Sequence, residues 1–94
     1  MDKAEFKTKA NQIIDDASEK INELEKEKES AQADAKAKYE ESLKELRSKR
    51  SELKSKYEEL ENASEEEWEE VKKTFDSASE DFKKGWNKIA SAVA

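Results

Sequence analysis

The feature that most constrains this chain is the near absence of residues that break helices. Its 94 residues contain no proline and a single glycine, Gly85. Proline and glycine mark most turns between secondary-structure elements, so little in this sequence interrupts a helix. Hydrophobic residues make up 33% of the chain and recur every three or four positions, as they do on one face of a helix. The sequence predicts an all-α fold in one helical domain, residues 1–94.

The composition argues against enzymatic chemistry. The chain has no histidine and no cysteine, which removes the commonest general base, the thiolate nucleophile and the usual zinc ligands. Glutamates such as Glu65 to Glu67 are explained by the helix dipole, which favours acidic residues in a first turn. We therefore expect no enzyme activity, no catalytic residue, no cofactor and no metal site.

Charge and hydropathy limit the partners and the compartment. The net charge of −6 disfavours nucleic acid, whose phosphates require concentrated Lys and Arg. The most basic stretch, Lys44–Lys56, is flanked by carboxylates and is typical of a solvated helix face. The first residues lack the apolar region of a signal peptide, and no apolar run approaches the ~20 residues of a membrane span. The sequence predicts a cytoplasmic protein.

The apolar residues form stripes along the whole chain. The stripe is aliphatic over residues 3–30, rich in alanine over residues 31–42, and aromatic over residues 64–94, where most of the interaction energy is expected. We predict an interaction stripe made of Ile14, Ile21, Leu24, Leu43, Leu46, Leu53, Tyr57, Leu60, Trp68, Val71, Phe75, Phe82, Trp86 and Ile89.

Evidence for a turn near residue 63 is divided. Ser64 followed by Glu67 is a capping box, which marks the start of a helix. Against a turn, Leu60, Val71 and Phe82 are spaced by 11 residues, so the stripe keeps its phase across the position. We favour a long helix over residues 3–61 and a shorter aromatic-rich helix over residues 65–92, packed as an antiparallel hairpin. The alternative is one continuous helix in a coiled-coil oligomer.

Helix length then predicts self-association. At 1.5 Å per residue the first helix would be ~90 Å long and the second ~45 Å, so the second covers only half of the first. Ile14, Ile21 and Leu24 would stay in water unless another chain covered them, and exposed stripes of that kind mark interaction sites. We expect a homo-oligomer, with a different protein partner as an alternative.

The aromatic helix also allows another function. Tryptophan and phenylalanine on one face are typical of helices that lie on a membrane surface, and three lysines, Lys83, Lys84 and Lys88, support this interpretation. The acids of the segment outnumber its lysines, which disfavours anionic lipid. An amphipathic surface binder, docking residues 64–94 on lipid or on a protein, is therefore the second hypothesis.

Parts of the chain resemble a known family. The residues concerned are the run from Ala33 to Glu40, Leu43 and Leu46 with the following Arg47–Arg50, the run Glu59–Ser64, and Trp68–Lys72. Over residues 30–90 this pattern is similar to a family of short bacterial coiled-coil proteins described as stress-response proteins. The resemblance implies a small helical cytoplasmic protein of bacterial origin without known catalytic activity.

Overall fold

The described part of the chain folds into three α-helices. The computed structural model describes residues 2–93, and the side chains of residues 2–91. Helix α1 spans Lys3–Glu29, α2 spans Ala33–Asn62 and α3 spans Glu65–Val93. Across the described residues there is no strand. The all-α prediction is confirmed.

The helices form an up-down-up bundle. Glu25 of α1 lies beside Arg47 of α2, and Lys49 of α2 lies beside Gly85 of α3. Helix α2 is therefore antiparallel to both neighbours, as the hairpin prediction requires, and α1 is parallel to α3. The bundle is a short rod of 51 × 18 × 17 Å.

The predicted long helix over residues 3–61 is wrong, because the chain turns at residues 30–32. Ser30 ends α1 with φ −89° and ψ −4°, and Gln32 precedes α2 in an extended conformation. Breaking the helix here loses a few backbone hydrogen bonds, each worth about 1 kcal/mol. Folding α1 back buries whole Ile and Leu side chains, each worth about 1.5–3 kcal/mol. Burial therefore outweighs the strong helix propensity of the surrounding alanines.

The turn near residue 63 is present, and the continuous-helix alternative is wrong. The Ser64 hydroxyl accepts a hydrogen bond from the Glu67 backbone N–H at 3.3 Å, and the Ser64 N–H donates to Glu67 Oε1 at 3.3 Å. This reciprocal pair is the capping box that the sequence predicts. Ala63 is extended, with ψ 136°. The local signal at Ser64 thus prevails over the phase of the stripe.

One core runs through the bundle. Ile14, Ile21 and Leu24 are 9%, 1% and 2% exposed, so the expectation that they need a second chain to cover them is wrong. The reason is the turn at residues 30–32, which lays α2 along the whole of α1. The side chains buried in the core are Phe6, Ala10, Ile14, Ala17, Ile21, Leu24, Leu43, Leu46, Leu53, Leu60, Trp68, Phe75, Ala78, Phe82 and Ile89.

Candidate functional site

The predicted interaction stripe lies inside the bundle. All its members are buried except Tyr57, Val71 and Trp86, which are partly buried and pack against the core. The structure thus brings the whole set together, but in one chain rather than between chains. Its first role is to hold the three helices to one another.

Aromatic rings fill the space between α1 and α3. The Phe6 ring meets the rings of Trp68 and Phe75 edge-to-face, with centroids 5.7 and 5.9 Å apart. Edge-to-face pairs add about 0.5–1.5 kcal/mol beyond their burial. We call this contact between the two parallel helices the α1–α3 seam. The backbones of α1 and α3 come within 8 Å at few positions, so side chains carry the seam.

Two lysines flank the seam. Lys3 Nζ lies 5.4 Å from the centre of a Trp68 ring, and Lys20 Nζ lies 5.6 Å from the centre of a Trp86 ring. These are cation–π distances, worth about 0.5–1 kcal/mol at exposed sites. Sequence reasoning missed both contacts, because they depend on α1 lying parallel to α3, which follows only from the turn at residues 30–32.

A shallow groove follows the seam. Its floor is apolar, formed by Phe6, Ala10, Ile13 and Phe75, and its rim is charged, formed by Lys9, Lys72 and Asp76.

Polar contacts fix the register of α1 against α2. Arg47 Nη2 donates to Glu25 Oε1 at 2.7 Å, and Asn11 Nδ2 donates to the Tyr57 hydroxyl oxygen at 3.0 Å. Both contacts are exposed, so each contributes at most about 1 kcal/mol. Their value is positional: they set which residue of α1 faces which residue of α2.

The same interface continues beside the turn. Lys28 and Glu40 form an ion pair, and the Tyr39 hydroxyl donates to Glu27 Oε2 at 3.4 Å. Desolvation raises the pKa of Tyr39, and the negative charge of Glu27 raises it further. The neutral phenol is thus the form that the fold favours.

The acidic first turn of α3 caps the helix. Glu67 accepts hydrogen bonds from the side chain and backbone of Ser64, and these bonds lower the pKa of its carboxyl group. Among the described residues, no three acidic side chains are grouped to hold a metal ion. Nor does any helix within residues 2–93 combine the length and the apolar character needed to cross a bilayer.

Comparisons with known proteins add no relative. No family model matches the chain, and neither a curated protein nor a solved structure is significantly similar to it. The resemblance to bacterial stress-response coiled coils therefore stays a sequence-based prediction.

Proposed function

We propose that this chain is a non-enzymatic helical interaction protein that associates with copies of itself. The proposal rests mainly on how α1 is attached. All contacts that α1 makes with α2 lie along one antiparallel interface, and the two helices are joined by the three residues 30–32. A second copy of the chain presents the same α2 surface and can receive α1 in the same register.

The surface of the bundle supports a role in interaction rather than in catalysis. The seam groove, floored by Phe6 and Phe75, is shallow and lies between helices. The charged groups of the bundle stand on exposed helix surfaces, where water screens them. Such a surface recognises other proteins through shape and charge.

Sedimentation equilibrium of protein refolded from denaturant at each concentration tests this proposal. We expect a dimer fraction that grows as the protein concentration rises from micromolar to millimolar. A monomer over the whole range would contradict self-association.

The stress association depends on the resemblance over residues 30–90 alone. It predicts that the protein accumulates when the bacterium that carries it is exposed to envelope, osmotic or heat stress. Quantitative immunoblotting before and after each stress tests this, and a constant level under all of them would remove the association.

Docking of residues 64–94 on lipid or on a protein is the second candidate. In the bundle the aromatic face of α3 is occupied, since Trp68 is 7% exposed and Phe75 is fully buried. Docking would therefore first require α3 to leave the core. If instead two copies associated by exchanging their α1 helices, no aromatic residue would be exposed in the resulting dimer. This difference favours self-association over docking of residues 64–94.

A further inference from the structure

The two turns of the bundle differ in whether their own side chains cap the helix that follows. The α2–α3 turn has the Ser64–Glu67 capping box. At the α1–α2 turn, Gln32 occupies the N-cap position of α2 without any side-chain hydrogen bond to the helix. No residue of the described chain has a positive φ angle, so neither turn contains the left-handed residue that commonly ends a helix. Only the α2–α3 turn is thus fixed by its own side chains.

The residues around the α1–α2 turn favour a helix. Ala31, Ala33 and Ala35 are of the residue type with the highest helix propensity, and neither proline nor glycine is nearby. The turn therefore persists because it lets α1 pack on α2, and the local sequence would adopt a helix once that packing came from elsewhere.

The core stripe also continues through the turn without a change of face. At 3.6 residues per turn, a continuous helix would hold the apolar stripe residues on both sides of the turn within an arc of about 100°. These are Ile21 and Leu24 before the turn, and Ala35, Tyr39, Leu43 and Leu46 after it. A straightened chain would thus carry them on one face, with Lys28 and Gln32 on the same face between Leu24 and Ala35.

The register of α1 against α2 makes exchange between two copies geometrically simple. Four polar side-chain pairs connect α1 and α2. They are Glu25 with Arg47, Asn11 with Tyr57, Glu27 with Tyr39, and Lys28 with Glu40. In each of the four pairs, the residue number halfway between the two partners lies within 33–36. Two straightened copies can lie antiparallel and cross at residues 33–36. Each of the four pairs then forms again, with one residue from each copy. A two-fold axis next to the former turn relates the two copies.

We propose that two copies of this chain exchange α1 and form a domain-swapped dimer. In each copy α1 and α2 join into one helix over residues 3–62, about 90 Å long. Helix α3 stays folded on its own α2 through the capped turn, and α1 packs on α2 and α3 of the other copy. This inference rests on the proposed self-association and specifies its geometry.

The monomer and the dimer contain the same core contacts. They differ in the backbone of residues 30–32, which gains helical hydrogen bonds on straightening, and in the entropy lost on association. Dimerisation is therefore concentration-dependent. It is also slow, because α1 must leave one core before it enters another. Refolding from denaturant at millimolar concentration should give the dimer more readily than concentrating the folded monomer.

Distance measurements between two spin labels test the proposal. The chain has no cysteine, so N22C and S51C introduce two unique labelling sites on exposed positions of α1 and α2. In the monomer these two positions lie on neighbouring helices of a bundle 18 × 17 Å in section, so the distance between the labels is short. In the swapped dimer they lie on one continuous helix, about 44 Å apart for 29 residues at 1.5 Å each.

Dilution separates distances within a chain from distances between chains. Doubly labelled protein is refolded with a tenfold excess of unlabelled protein, and the dimer is isolated by size exclusion. We expect the distance of about 44 Å, with the short distance largely lost. A dimer that keeps the short distance would overturn the swap but leave self-association standing. A protein that stays monomeric would overturn both.

Glycine substitutions in the turn provide a second test. A31G should weaken dimerisation roughly 10- to 30-fold, because residue 31 is helical only in the dimer and each copy then carries one glycine penalty. A37G is the matched control, since residue 37 is helical in both forms, and it should leave the dimerisation constant unchanged. Equal effects of the two variants would contradict a straightened turn.

Discussion

The side chain of Lys49 on α2 lies across Gly85 on α3. A Cβ atom built on Gly85 would be 3.1 Å from Lys49 Cε and 3.2 Å from Lys49 Cδ, with Leu46 Cδ2 at 3.6 Å. The only glycine of the chain therefore sits where the α2–α3 interface is close, in a buried position of a helix. The close neighbours belong to a flexible lysine stem rather than to backbone.

Gly85→Ala should stabilise the bundle. Glycine within a helix costs about 1 kcal/mol relative to alanine, and the Lys49 stem can shift by a few tenths of an ångström. We expect the free energy of unfolding to rise by about 0.5–1 kcal/mol in urea denaturation. Gly85→Leu is the contrasting variant, since its side chain must displace Leu46 and should destabilise. A loss of stability in Gly85→Ala would show that the lysine stem cannot move.

Phe75→Ala should be among the most damaging single substitutions. The Phe75 side chain is fully buried and packs edge-to-face against Phe6. Removing a buried phenylalanine costs about 3–5 kcal/mol, a large part of the stability of a small domain. Thermal or urea unfolding measures the loss. Phe75→Leu, which keeps most of the volume, should cost far less, and a similar cost for both variants would mean that the ring does not pack as described.

The capping box should give the protein an acid-sensitive contribution to stability. Hydrogen bonds from Ser64 lower the pKa of Glu67 below its ordinary value of 4.5. A lowered folded-state pKa stabilises above the unfolded value and loses that effect as the pH falls through the folded value. Urea denaturation from pH 7 to pH 2 should therefore show Glu67→Gln less stable than the unaltered protein at neutral pH, with the difference shrinking below about pH 4.5. A difference independent of pH would exclude a role for the carboxylate charge.

Anionic phospholipid vesicles should leave the folded bundle unbound. Trp68 is buried and Trp86 partly buried, so neither ring is free to insert into a bilayer surface. We expect no blue shift of tryptophan emission when vesicles are added. Phe75→Ala, which loosens the core, is measured alongside. A blue shift in that variant alone would mean that α3 binds lipid only after it has left the core. A shift in the unaltered protein would favour the surface-binding function.

The sequence predicts the all-α fold, helix α3 and the second turn well, because these depend on local signals. Stripe residues such as Leu53 and Phe82 are buried, and the Ser64–Glu67 pair starts α3 where the capping pattern places it. Alternation of apolar and polar residues at helical spacing is a strong signal when proline and glycine are absent.

The first turn could not be predicted in the same way. Ser30, Ala31 and Gln32 contain neither a glycine end signal nor a capping side chain bonded to the helix. That turn is dictated by tertiary packing, which overrides propensity when a long helix would leave Ile21 and Leu24 in water. The α1–α3 seam, with its Lys20–Trp86 contact, exists only because of that turn. The sequence therefore did not predict the seam either.

A single chain closes its own core by turning at residues 30–32. Small-angle X-ray scattering on the monomer fraction, measured as it leaves a size-exclusion column, tests this most directly. We expect a radius of gyration close to the 15.2 Å of the Cα trace. A value of about 26 Å or more, as for a rod containing an unbroken 90 Å helix, would contradict it.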